Sequence, residues 1–194
     1  MKRTFSIGGE TVNNGQIIQL GIVVPDVDAA MDFYARNLRV GPFTCMRGFR
    51  APDGWYRGGN EMPVLTLAHA YTGRLFVEII QQHDETPSVY KEFIDKHGYG
   101  LHHYGIAIAP EDYDSALEHY YNIGFEDVFT DTFYGGVRIR YLGPKGEAAL
   151  EKLRNESGAG YIECIDMTEY QEAFFAGMVE ASLNWDGKTV CLED

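Results

Sequence analysis

The sequence predicts an α+β fold: two tandem βαβββ modules pairing into a half-open, eight-stranded barrel, with an extra C-terminal helix. Three observations predict it. Gln19-Leu20-Gly21-Ile22-Val23-Val24-Pro25 is echoed 84 positions later by His103-Tyr104-Gly105-Ile106-Ala107-Ile108-Ala109. Phe76-Val77-Glu78-Ile79-Ile80 is echoed 85 positions later by Tyr161-Ile162-Glu163-Cys164-Ile165. Each copy also runs strand, acidic turn, helix, then further strands. A repeat of that length is a duplicated supersecondary unit, not a solenoid turn. One unit leaves a sheet face open, and two can pair to close it.

Residues 1–15 are polar and Gly/Asn-rich and read as a loose lead-in. The first module with its linker helix spans 16–98. Its opening strand, from Gln16 to Val24, is mostly β-branched and aliphatic. Asp26 and Asp28 can cap a helix that runs to about Asn37, with Ala29, Ala30, Phe33 and Tyr34 at helical spacing. Phe43 to Arg47 reads as a short strand, and Gly48 to Asn60 as a turn-rich lid or edge loop. Met62 to Ala70 and Arg74 to Gln82 read as strands joined at Tyr71-Thr72-Gly73. Thr86-Pro87-Ser88 opens a short helix closed by Lys96-His97-Gly98, with basic residues and glycine where a helix ends.

The second module spans 99–167. Leu101 to Ala109 reads as a strand and Tyr113 to Ile123 as a helix stopped by Gly124. Phe125 to Thr130 and Phe133 to Leu142 read as strands around Gly135-Gly136. An insertion at 145–160 has helical character, and Tyr161 to Met167 is the last strand. The region 168–194 holds a closing helix and tail. Thr168-x-x-Gln171 is a capping-box pattern. Phe174, Phe175, Met178, Val179 and Leu183 then recur at helical steps, which reads as a packing stripe.

A chain of 194 residues can bury one good core or two small ones. Its net charge of −13 argues against nucleic acid and anionic membranes as partners. No apolar run approaches the roughly 20 residues that cross a bilayer. No apolar segment follows Lys2 and Arg3, so no signal peptide is expected. Cys45, Cys164 and Cys191 are odd in number and form no CxxC pair. The simplest reading is reduced thiols in a cytoplasmic chain.

Strand parity singles out a candidate site. Alternate residues of a strand face one side. Gln19 therefore faces with Gly21, and His103 with Gly105 and Ala107. Glu78 shares a face with Phe76 and Ile80, and Glu163 with Tyr161 and Ile165. Both carboxylates fall on bulky apolar faces, where an ionised group is costly unless it is paired or binds a cation. A lone strand glutamate usually faces solvent, and a lone histidine is usually structural. The coincidence of Gln19, Glu78, His103 and Glu163 at duplicated positions argues instead for one site. Oxygen ligands with a single nitrogen suit a divalent ion such as Zn²⁺, Ni²⁺, Co²⁺ or Mn²⁺. His102 should point the opposite way and reads as structural. His69 ends an apolar strand within reach of the interior. Arg138 and Arg140 share a face that could clamp an anion but reads more simply as an exposed charged face.

These motifs, with the link Thr86-Pro87-Ser88-Val89-Tyr90-Lys91-Glu92-Phe93-Ile94 and Gly100-Leu101-His102-His103, resemble the vicinal oxygen chelate superfamily over residues 16–185. That superfamily holds glyoxalase I, methylmalonyl-CoA epimerase, extradiol dioxygenases and bleomycin-resistance proteins. The link is similar to the epimerase branch. The order Gln19, Glu78, His103, Glu163 is similar to the zinc-type glyoxalase I ligand set, whereas the epimerase pattern has His first and Gln second. The 145–160 insertion and the 48–60 loop depart from the small enzymes, so the substrate is not carried over.

The resemblance implies a metal-dependent isomerase or epimerase, or a lyase, acting on a small oxygen-chelating carbonyl substrate. Catalysis would proceed by proton abstraction and enolate stabilisation. It implies Glu163 as ligand and base, Glu78 as ligand and second acid/base, and Gln19 and His103 as ligands. It also implies a homodimer. An Fe²⁺ extradiol dioxygenase wants two histidines and a carboxylate, and Gln19 stands where one histidine is needed. A non-catalytic binding protein is the other competitor, since 13 tyrosines and 11 phenylalanines can line a pocket without a metal. A metal-bound hydrolase or lyase acting on an unusual substrate is a weaker third reading.

Overall fold

The computed structural model describes residues 4–192; the first three residues of the lead-in and the last two of the tail lie outside it. The lead-in is not loose: β1 (Thr4–Ile7) and β2 (Glu10–Asn13) form an antiparallel hairpin. Its Phe5, Ile7 and Val12 face the core, so a polar sequence with every other residue apolar folds as an amphipathic ribbon.

The first module is β3 (Gln16–Val23), α1 (Val27–Phe33), β4 (Phe43–Phe49), β5 (Trp55–Tyr56), β6 (Leu65–Tyr71) and β7 (Phe76–Gln82). Asp26 caps α1 as its position suggested, accepting from the Ala29 amide at 2.9 Å. A wider turn, Tyr34–Leu38, continues the helix. The linker helix α2 (Val89–His97) is capped by Ser88, which accepts from the Lys91 amide at 2.9 Å.

The second module is β8 (Gly100–Ile108), α3 (Tyr113–Asn122), β9 (Phe125–Thr132), β10 (Arg138–Pro144), α4 (Glu147–Ser157) and β11 (Tyr161–Asp166). α4 occupies the predicted insertion. The chain then forms α5 (Glu169–Leu183), capped by Thr168, and a short β12 (Cys191–Leu192).

The strand order is β12-β4-β6-β7-β3-β8-β11-β10-β9-β5. In each module the first and last strands are parallel, β3 with β7 and β8 with β11. The modules meet at the antiparallel β3–β8 pair, so the sequence repeat becomes a pseudo-twofold relation about that pair. The eight predicted strands are all present. The sheet does not close on itself by a ladder, because its ends are β12 and β5. The loop predicted at 48–60 spans the gap: it leaves β4, yet β5 within it pairs with β9 of the other module. Phe49 and Phe133 meet across the same gap with ring centroids 5.4 Å apart.

Parity holds on both faces. Val27 and Met31 of α1 pack on Ala68, Ala70, Val77 and Ile79 outside the sheet. Tyr113 and Leu117 of α3 pack on Ile106, Ile108, Leu142 and Cys164. The alternate residues, among them Leu67, Phe76, Ile80, Ile139, Tyr161 and Ile165, face inward.

Two expectations need correction. Phe175, Met178 and Val179 of α5 are buried, but Leu183 is 78% exposed at the helix end and does not extend the packing stripe. The thiols are not all reduced: Cys45 on β4 and Cys191 on β12 are bonded, leaving Cys164 free and buried. β12 lies parallel to β4 and brings these distant positions together, which spacing does not reveal. No described helix is long and apolar enough to cross a membrane.

Candidate metal centre and its cavity

Gln19 on β3, Glu78 on β7, His103 on β8 and Glu163 on β11 come together at the centre of the sheet. They are 3%, 4%, 0% and 5% exposed. His103 Nε2 lies 3.3 Å from Glu78 Oε2 and 3.2 Å from Glu163 Oε2. Gln19 Nε2 donates to the same oxygens at 3.1 and 3.0 Å. One ligand atom from each of Glu78, His103 and Glu163 falls within 4.8 Å of the others.

The repeat glycines make this approach possible. Across the β3–β8 pair, Gln19 faces Gly105 and Gly21 faces His103. A Cβ on Gly21 would overlap the His103 ring. A Cβ on Gly105 would lie 2.8 Å from Gln19 Cβ and 3.2 Å from Glu163 Oε2. Each module's ligand thus occupies the space that the other module's glycine leaves open.

His102 corrects the parity expectation. The β3–β8 register jumps between Gly21/His103 and Ile22/Leu101, leaving His102 as the extra residue. Such a bulge re-aims side chains. Its Nδ1 sits 2.9 Å from His103 Nδ1, and its Nε2 lies 3.2 Å from the Val89 carbonyl. A carbonyl only accepts, so His102 Nε2 donates. Burial, with His103 beside it, holds His102 well below the usual histidine range, so it is neutral and Nδ1 accepts. His103 Nδ1 therefore carries a proton, and its Nε2 faces two carboxylate oxygens.

That arrangement demands a cation. A bare Nε2 lone pair against two carboxylates is repulsive, so either a proton or a metal ion must sit there. Burial alone would lower the His103 pKa; Glu163 and Glu78 outweigh it and push it up to about 9. Burial would raise the Glu78 pKa, but His69 and His103 hold it well below the carboxylate range. The donor set fits a divalent ion, held by Glu78 and Glu163 oxygens and His103 Nε2. Gln19 turns its NH₂, not its oxygen, toward the carboxylates. It would join as a ligand only after its amide turns over, an isosteric change.

The cluster opens on a cavity of about 350 Å³. β3, β4, β6, β7, β9, β10 and β11 contribute to its wall, the 48–60 loop adds Ala51 and Tyr56, and α5 adds Tyr170, Gln171 and Phe174. Three wall residues escaped the sequence reading or were left open in it. His69 stands opposite Glu78 across the β6–β7 pair, with Nε2 3.2 Å from Glu78 Oε1 and no hydrogen bond at Nδ1. Tyr90 and Tyr141 bring their hydroxyls within 3.3 Å. Burial, and the carboxylates nearby, raise both phenols well above their usual range. Parity alone could have flagged His69 and Tyr141, which share inward faces with Leu67 and Ile139. Arg138 is no substrate clamp: it pairs with Asp166 at 2.6 Å and Asp114 at 2.9 Å.

Residues 18–141 match the family model described as Glyoxalase/Bleomycin resistance protein/Dioxygenase superfamily. No curated protein matches the chain. Among solved structures, methylmalonyl-CoA epimerase from Mycobacterium tuberculosis is 20% identical with a TM-score of 0.53, over 82% of this chain and 91% of that one. A hypothetical protein from Bacillus halodurans C-125 is 17% identical with a TM-score of 0.54, over 80% and 96%. At these identities the likeness is one of fold.

Proposed function

The chain belongs to the glyoxalase/bleomycin resistance protein/dioxygenase superfamily, and on that premise we propose that it is a metal-dependent isomerase or epimerase. Its substrate would be a small carbonyl compound with adjacent oxygens, and a lyase outcome would use the same first step. The observation that carries this reading is the buried convergence of Gln19, Glu78, His103 and Glu163, the first, second and fourth of which line one cavity. When bound, a divalent ion supplies Lewis acidity at the substrate oxygens.

Glu163 is the base. Its Oε2 is held by Gln19 and His103, while Oε1 carries no hydrogen bond among the described residues. Oε1 would take a proton α to the substrate carbonyl. Glu78 is committed on both oxygens, to His69 and to Gln19 and His103. That suits a ligand, and only secondarily an acid/base that returns the proton. In the Tyr90–Tyr141 pair only one hydroxyl proton is used within the pair. The other can donate to oxygen charge that develops in the cavity. Among the described residues His69 lies outside the Glu78–His103–Glu163 set, which disfavours the two-histidine, one-carboxylate set of an iron dioxygenase.

Metal analysis of protein purified without chelator is the first test, with about one ion per chain expected. An ion-free protein that still binds apolar ligands would favour the binding-protein reading. Glu163→Gln should abolish solvent-deuterium exchange into α-hydroxy ketones. Exchange at the wild-type rate would remove Glu163 as base. A homodimer in the cytoplasm belongs to the same reading, and light scattering checks the dimer.

A further inference from the structure

The cavity has two chemically different ends. Gln19, His69, Glu78 and Glu163 crowd one end. The rest of the lining is aromatic and aliphatic, including Phe129 on β9, Phe133 just beyond it, and Phe174 on α5, whose ring stands edge-on to His69 at 5.6 Å. The polar side chains away from the cluster are mostly engaged elsewhere. Ser88 donates to Gln82 at 2.6 Å, and Tyr56 donates to Glu92 at 2.5 Å. Among the described residues, Arg47 is the one cationic side chain of Lys or Arg type in the wall, and it holds Asp28 at 2.5 Å. Gln171 adds a neutral amide.

We propose that the substrate is an uncharged, ring-bearing carbonyl compound whose two adjacent oxygens meet the Glu78–His103–Glu163 end and whose ring is enclosed among Phe129, Phe133 and Phe174. This deepens the chelation reading above and rests on it for the oxygens. The ring and the absence of charge rest on the cavity alone. A second anionic group would enter a cavity that already holds two carboxylates, with no free cation among the described wall residues to receive it, and so would be disfavoured. A volume of about 350 Å³ is near the lower end of small-molecule sites, which suits a ring-sized body held whole. Aromatic walls favour a flat partner by stacked and edge-to-face contacts. A rigid ring also loses less freedom on enclosure than a flexible chain of equal area.

Three hydroxamates test this on Zn²⁺-loaded protein by calorimetry. Acetohydroxamate supplies the adjacent oxygens alone, benzohydroxamate adds the ring, and 4-carboxybenzohydroxamate adds a charge to the ring. Benzohydroxamate should bind at least about 30-fold tighter than acetohydroxamate, roughly 2 kcal/mol at 1.4 kcal/mol per tenfold. The carboxylated probe should lose that gain, and Phe174→Ala should reduce it about fivefold or more. Equal affinity for the three probes overturns the ring proposal while leaving chelation intact, as does a preference for the charged ring. An undiminished gain in Phe174→Ala overturns the placement of the ring. If Zn²⁺ loads but no hydroxamate binds, the chelation reading itself fails.

Discussion

Gly21→Ala adds one methyl group at the point where the modules interlock. Gly21 has no left-handed backbone angle, so the backbone accepts alanine and the whole effect comes from space. The new Cβ would overlap the His103 ring. That ring cannot retreat: it is fully buried, its Nδ1 is 2.9 Å from His102, and Tyr141 packs edge-on at 4.9 Å. Overpacking of this kind costs about 1–3 kcal/mol. For a chain of this size that lowers Tm by roughly 2–12 °C. Relief by displacing the imidazole removes the cluster's nitrogen, so metal affinity should fall about 100-fold or more, at or beyond the upper end of the roughly 10–100-fold seen when an outer-shell partner is lost. The assay is thermal unfolding in chelator and in excess Zn²⁺. At about 1,000 times its Kd, Zn²⁺ stabilises the wild type by about 4.1 kcal/mol; a 100-fold weaker variant at the same concentration gains only about 1.4. A Gly21→Ala protein with wild-type Tm and wild-type metal response would refute the argument that this glycine makes room for His103.

Gly177→Ala, in the middle of α5 with nothing within 4 Å of its added Cβ, should instead stabilise by about 0.5–1 kcal/mol, read by urea unfolding. The His103 pKa is raised from 6.5 to about 9 in the folded protein. Its stabilising effect without metal is therefore complete below about pH 6.5 and lost as pH rises through about 9. Metal must displace that proton, so affinity measured by competitive chelation should climb about tenfold per pH unit up to about 9 and then level; a flat profile would contradict it. His102→Phe removes the acceptor for His103 Nδ1 and should weaken metal binding about 10–100-fold on the same assay. Arg138→Ala strands Asp166, which is 2% exposed with Oδ1 already unpartnered. Because Arg138 is partly exposed, a cost of about 3 kcal/mol is expected, at the low end for a broken buried pair, with metal affinity unchanged.

The repeat was readable because a duplicated unit repeats its hydrophobic pattern, and pattern is local. Parity then placed Glu78 and Glu163 correctly, since β7 and β11 are regular strands flanked by Phe76, Ile80, Tyr161 and Ile165. It misplaced His102 because a bulge in β8 shifts the register there. The β1–β2 hairpin was missed because its alternation is only four residues long in each strand.

What the sequence by itself determined is the pair of βαβββ modules and the four residues Gln19, Glu78, His103 and Glu163 on their inward faces. Both follow from periodicity, which each strand carries within itself. What only the tertiary structure decided is how those residues meet and what surrounds them. The bulge at His102, the interlock of Gly21 with His103, the Tyr90–Tyr141 hydroxyl pair and the β5–β9 bridge all join residues far apart in the chain. The physical reason is that register and close contact are set between strands, by the space each side chain leaves for another.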